Sequence, residues 1–299
     1  MISIANAPVS IGVFELAGSA PTPDPDLVLD RFAADGYEGI DLGPVGYLGT
    51  GQELDARLER VGFGLAGGWI DLPFSDDDAF RAALPAYRAA LAVFRDVRRP
   101  ADRPAPRPTL ACSGRPERAA HPGGGREVRL SPAGWDRLVA NLADAVAIAR
   151  DQGLEPTFHH HACTDVETVD EIDELLDRSD VDLTFDTGHL LLGGGDPVAD
   201  LRRWVGRVNH VHIKDARIDV LQRVVAAGGG LREVWEAGAF VALGQGDLDL
   251  AGTMDLLLES GYAGWVVVEQ DSLPGPDRDA AAMLDDQRTN REILRRWIP

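Results

Sequence analysis

The chain has 299 residues, 44% of them hydrophobic, with a net charge of −20 and a pI near 4.6. That length allows one large domain or two small ones, and so acidic a surface repels phosphate backbones, which argues against nucleic acid as a partner. No apolar run approaches the roughly 18 residues that cross a membrane, and residues 1–14 lack the basic leader and apolar core of a signal peptide. The two cysteines, Cys112 and Cys163, form no CxxC motif or disulfide framework, so a cytoplasmic location is expected.

Short β-rich runs alternate with amphipathic helical segments. A strand over 3–7 precedes a helix over 25–35, a strand over 39–42 a helix over 52–61, and a strand over 64–70 a long alanine-rich helix over 76–95. A strand over 108–112 is followed by a helix over 132–152, with Ser131 as its N-cap and Gly153 just past its end. Strands over 156–160 and 182–186 lead into helices over 166–178 and 197–205. Strands over 209–213 and 265–269 flank a helix over 250–260, and a last helix covers 278–297. Eight β/α units predict the α/β class and a single-domain (β/α)8 barrel over residues 1–299.

Two stretches read as insertions. Residues 98–126 are rich in Arg, Pro and Gly and hold one short strand; a mobile surface loop is expected there, with arginines for an anionic substrate as the alternative. Residues 217–246 predict a helix near 220–227, a break at Gly228-Gly229-Gly230 and a helix near 231–237. A long loop after a barrel strand suits a lid or a subunit contact, and a homo-oligomer is compatible with it.

Six of the seven histidines fall at strand ends, in His159-His160-His161, Asp186-Thr187-Gly188-His189 and His210-Val211-His212. The strand over 265–269 ends in Glu269. Barrel active sites lie at those ends, so His159, Asp186, His212 and Glu269 are the candidate ligands of a divalent metal. In His210-Val211-His212 the two rings are read as lying on opposite sides of the strand, with His212 inward because it is nearer the end. A mixed N/O donor set suits Mn²⁺ or Co²⁺ first, with Mg²⁺ and Zn²⁺ as alternatives. Lys214 is the only lysine in the chain; its ammonium can exchange protons, which guanidinium cannot, so it is a candidate catalytic residue.

These motifs carry a resemblance. Asn6-Ala7-Pro8-Val9-Ser10, Asp41-Leu42-Gly43-Pro44 with Gly46-Tyr47-Leu48, the histidine run, Asp186-Thr187-Gly188-His189, His210-Val211-His212-Ile213-Lys214-Asp215 and Val267-Val268-Glu269-Gln270-Asp271 resemble the xylose-isomerase-like TIM-barrel superfamily, and most closely its inosose (2-keto-myo-inositol) dehydratase branch. The resemblance implies metal-dependent dehydration of a keto-polyol through a metal-stabilised enediolate with loss of a β-hydroxyl. Glu269 or His161 would be the base, and Lys214 or His189 the acid. Asn6, Asp41, His160, His189 and Asp215 would surround a small-molecule keto-polyol or sugar. The alternative is a metal-dependent sugar isomerase or epimerase. In the epimerases a Glu occupies the position of His159, so the imidazole here favours dehydration over two-base epimerisation. Ile11 and Asp41 stand where the branch usually has Trp and Glu, which leaves the substrate less defined than the reaction.

Overall fold

A computed structural model describes residues 1–14, 22–124, 128–275 and 278–299. Its strands are β1 (Ser3–Asn6), β2 (Gly39–Ile40), β3 (Gly64–Leu65), β4 (Gly67–Leu72), β5 (Arg107–Cys112), β6 (Thr157–His159), β7 (Asp182–Asp186), β8 (Val208–Ile213), β9 (Asp215–Ala216), β10 (Phe240–Val241) and β11 (Trp265–Val268). The helices are α1 (Pro25–Asp35), α2 (Gln52–Val61), α3 (Asp77–Asp96), α4 (Pro116–Ala119), α5 (Pro132–Arg150), α6 (Val169–Arg178), α7 (Thr187–Leu192), α8 (Pro197–Trp204), α9 (Ile218–Ala226), α10 (Leu231–Glu236), α11 (Leu250–Glu259) and α12 (Ala280–Leu294).

The main sheet is parallel throughout and runs β3-β2-β1-β11-β8-β7-β6-β5-β4. Its two ends, β3 and β4, are one stretch of chain interrupted only at Ala66. The Ala66 N–H donates to Ile40 O at 2.9 Å, and Ala66 O accepts from Arg107 N at 2.9 Å. The sheet therefore closes on itself as the expected (β/α)8 barrel. The third strand is not the single run over 64–70 read from the sequence: it switches partners at Ala66, pairing with β2 before it and β5 after it.

Alternation along each strand sorts the two faces. Ile4, Leu110, Phe158, Leu183, Phe185, Val211 and Val266 join the apolar layer beneath the helices. Ala5, Ala66, Trp265 and Val267 form a separate, smaller interior cluster. Trp265 fills the base of the barrel, and Gly39 and Gly64 give it room: a Cβ at either would lie 2.6 or 2.8 Å from the indole. Above it the interior is polar and buried, with Thr109, Thr157, Thr184 and His210 at no more than 1% exposure.

The helix ends have local causes. Thr168 and Glu171 form a capping box, so α6 starts at Val169 and not at 166 as the periodicity suggested. Ser131 caps α5 as expected. The antiparallel pair β9–β10 ties the two ends of the 217–246 segment together. Among the described residues no helix is long and apolar enough to cross a membrane.

The stretch over 98–126 departs from the mobile surface loop expected of it; its last two residues, Gly125 and Arg126, lie outside the described residues. Arg118, on α4, is fully buried and paired with Glu167 at 3.3 Å and with Glu171. It thereby pins α4 to the start of α6. A buried cation with two carboxylates leaves uncompensated charge when removed. Arg118→Ala should therefore destabilise the fold by about 3–5 kcal/mol, read as a lower urea midpoint with an unchanged slope.

Candidate metal centre and active site

Asp186 ends β7 and caps α7. Its Oδ1 accepts the His189 N–H at 2.8 Å, which leaves Oδ2 facing the barrel mouth. Gly188 is needed in the same turn because a Cβ there would lie 2.6 Å from the Lys214 stem. Thr187 accepts the Lys214 N–H at 2.9 Å and donates to Lys214 O at 2.7 Å. One tight turn thus positions a carboxylate and fixes the backbone of the lysine that directly follows the next strand.

Four donors converge at the mouth, in the set expected from the sequence. His159 Nε2 lies 3.4 Å from Asp186 Oδ2 and 3.1 Å from His212 Nδ1. His212 Nδ1 lies 3.5 Å from Asp186 Oδ2 and 3.1 Å from Glu269 Oε2. All four donors lie within 4.8 Å of one another. Such separations match the edges of a coordination shell whose bonds are about 2.0–2.2 Å. Asp186 Oδ2 is buried with no aligned hydrogen bond, so a polar valence is left for a ligand. His159 Nδ1 is directed at His160 O, a contact that places the proton there and leaves Nε2 as a lone-pair donor. The residues therefore fit a divalent cation.

Lys214 sits beside this set. Its Nζ lies 3.2 Å from Asp186 Oδ2, 3.0 Å from Glu269 Oε2, 2.8 Å from Asp271 Oδ1 and 3.0 Å from His189 Nε2. Burial works against its charge, but Asp186, Asp271 and Glu269 outweigh burial and raise its pKa. For His212 burial likewise opposes the charged ring, and Glu269 and Asp186 raise it to about 10. Burial pushes Asp41 up to about 7, against the pull of His212. His159 and His161 are lowered, first by burial.

The cavity above has a polar floor and an apolar roof. Asp41, His159, His161, His212, Lys214, Glu269 and Asp271 face it from below. Val9, Val13, Phe14, Pro44, Val45, Trp69 and Trp235 face it from the rim. Trp235 lies on α10, within the 217–246 segment, and packs edge-on against Phe14 at 5.5 Å.

Several sequence expectations are corrected here. Asn6 does not face the cavity: it donates to Gln287 at 3.0 Å and accepts from the Ala7 N–H, turned toward α12. His160 points to the other side of the chain from His159 and His161, and its Nε2 accepts the Asp186 N–H at 3.4 Å. Asp215 is a loop anchor whose oxygens accept the N–H groups of Ala216, Gly244, Gly246 and Leu248 at 2.8–3.0 Å, with Gly244 the shortest. His189 lies behind the cavity wall: its ring stacks on His161 with centroids 3.7 Å apart, and its Nε2 lies 3.0 Å from Lys214 Nζ and 3.4 Å from Asp271 Oδ2. His210 and His212 do not take opposite faces. Residues i and i+2 share a face of a strand, and their rings lie 5.1 Å apart inside the barrel.

Trp69, Trp235 and Asp271 are cavity residues that the sequence reading did not select. Asp271 follows Glu269 by two residues, so the same period was available to signal it. Trp69 shows as an aromatic edge against His159 and His161, at 5.5 and 4.9 Å, which no local pattern announces. For Asp215, the loss of charge in Asp215→Asn should cost about 2–3 kcal/mol, measured by denaturant unfolding, while bound metal stays at the wild-type level.

Comparisons with known proteins agree with this geometry. The family model described as xylose isomerase-like TIM barrel matches residues 29–287. An inosose dehydratase from Geobacillus kaustophilus (strain HTA426) is 32% identical over 280 residues, covering 91% of this chain and 88% of that one. Among solved structures, the IOLI protein with a bound zinc atom superposes with a TM-score of 0.70 at 15% identity, covering 99% of both chains. An L-ribulose 3-epimerase gives 0.67 at 20% identity, covering 99% of this chain and 96% of the other. At those identities the two structures speak for the fold alone. Family model, full-length relative and barrel architecture coincide, and the chain belongs to the xylose isomerase-like TIM-barrel family.

Proposed function

We propose that this protein is a hydro-lyase of the inosose dehydratase type, removing water from a cyclic keto-polyol. The observation that carries this reading is the single ammonium of Lys214, held against the four-donor set within a cavity that has one polar face. The full-length similarity to an inosose dehydratase supports it. His159, Asp186, His212 and Glu269 would hold the cation, and their N2O2 chemistry suits Mn²⁺ or Co²⁺, with Zn²⁺ and Mg²⁺ as alternatives. When bound, the cation supplies Lewis-acid polarisation of the substrate carbonyl.

The remaining steps belong to side chains. His161 Nδ1 contacts Ala162 O at 2.9 Å, so its Nε2 is the free acceptor and the better placed base for the proton α to the carbonyl. Glu269, held by His212 and Lys214, is the second choice. Lys214 then donates a proton to the β-hydroxyl, the C–O bond breaks and water leaves as the new C=C forms. His189 and Asp271 hold Nζ in place for that transfer. Among the described lining residues Lys214 is the only lysine or arginine, and it already faces three carboxylates. An uncharged polyol suits this floor better than a phosphorylated sugar. A neutral keto-polyol of inositol catabolism and a cytoplasmic setting fit this reading. The epimerase alternative requires a second acid–base carboxylate on the opposite face of the substrate, and β6 offers the imidazole of His159 in that place.

The direct test is incubation with an inosose and a ketose. A diketone chromophore from the inosose is expected, and an epimerised sugar without water loss would overturn the reading. Lys214→Met should lower kcat at least about a hundredfold with metal content unchanged; a near-normal rate would remove its role as the acid. His159→Ala should weaken metal affinity by at least about 100-fold, read by competition with a chromophoric chelator. Metal-stripped wild type should melt at a lower temperature than the loaded protein.

A further inference from the structure

The interior directly beneath the four donors carries a second set of ligand-type atoms. Asp41, His210 and His212 each offer one atom to a common point, all within 4.8 Å. The three residues are 5%, 0% and 3% exposed. Asp41 Oδ1, both ring nitrogens of His210 and His212 Nε2 have no hydrogen-bond partner. Buried polar groups without partners are costly enough that native interiors rarely keep them, so several gathered at one point mark the seat of a ligand.

The spacing identifies its kind. Asp41 Oδ2 and His212 Nε2 lie 3.8 Å apart, too far for a hydrogen bond between them and close to the separation of two donors on one cation. His212 points its Nδ1 at the upper set and its Nε2 at this one, so a single ring faces both. Ligation through both nitrogens of His212 leaves that ring without a ring proton, the Nε2 proton passing to solvent as a second cation binds.

We propose that the barrel holds a second divalent cation, of first-row type, between His210, Asp41 and His212 Nε2, with His212 bridging the two sites. This rests on the reading that the upper four residues hold a cation. It assigns Asp41 and His210, neither of them in the upper set, to a separate site in which Asp41 faces the cavity and His210 lies in the polar barrel interior. Two nitrogens and a carboxylate suit Zn²⁺, Co²⁺ or Mn²⁺.

Cobalt tests the proposal. Chelator-stripped full-length protein is titrated with Co²⁺, following the d–d absorption, and the metal is counted by mass spectrometry after desalting. Wild type should take up two equivalents, His210→Phe one, and His159→Ala should lose the upper equivalent preferentially. Asp41→Asn provides the same comparison as His210→Phe should the latter fail to fold. One equivalent in wild type, retained in both His210→Phe and Asp41→Asn and lost in His159→Ala, overturns the inner site and leaves the upper one standing. That result would make Asp41 the carboxylate that orients His212, with water filling the space beside His210. No bound cobalt in wild type would overturn both sites.

Discussion

The structure depends on confining several like charges at the mouth of one barrel. Asp186, Glu269 and Asp271 all face Lys214 Nζ within 3.2 Å, and each is largely removed from water. Burial alone would neutralise these carboxylates. Asp186 and Glu269 are instead held well below the usual carboxylate range, because Lys214, His212 and His189 outweigh the burial. The barrel accepts this cost because its walls are rigid: Asp186 ends a strand paired on both sides, and Lys214 and Glu269 each directly follow one.

Local devices keep the charges from collapsing onto one another. Asp186 commits one oxygen to the N-terminus of α7 and keeps the other free. Thr187 clasps the backbone of Lys214, and Gly188 leaves space for its stem. His159 is oriented through its contact with His160 O. Each is a hydrogen bond or a missing side chain that acts over a few residues, and together they preorganise donors that would otherwise need to reorganise when a ligand arrives.

Around this floor the cavity is asymmetric. Its apolar rim draws on four separate parts of the chain: Val13 and Phe14 after β1, Pro44 and Val45 after β2, Trp69 on β4 and Trp235 on α10. Such a rim excludes water and strengthens the electrostatics beneath it. The 217–246 segment contributes to this wall through Trp235, and Asp215 secures the return of that segment by accepting four backbone N–H groups. A residue read as contacting substrate thus shapes the site from a distance.

Strand ends were legible in the sequence because β/α alternation has fixed periods, and a barrel places every strand's C-terminal end at one mouth. From that follow the (β/α)8 architecture and the gathering of His159, Asp186, His212 and Glu269. Side-chain direction within a run was less legible. Three consecutive histidines look equivalent, yet His159 and His161 face the cavity and His160 does not, because the chain alternates sides. The same rule, misapplied, separated His210 from His212, and only the closed barrel shows both rings inside it. Partners distant in the chain were invisible: Asn6 turns to Gln287, Arg118 buries itself against Glu167 and Glu171, and Trp69 meets His161. Sequence periodicity determines which β/α units form and, to within a few residues, where they end. Which face each side chain meets, and whether a buried charge finds its partner there, is decided only when the sheet closes and brings those elements within a few ångströms.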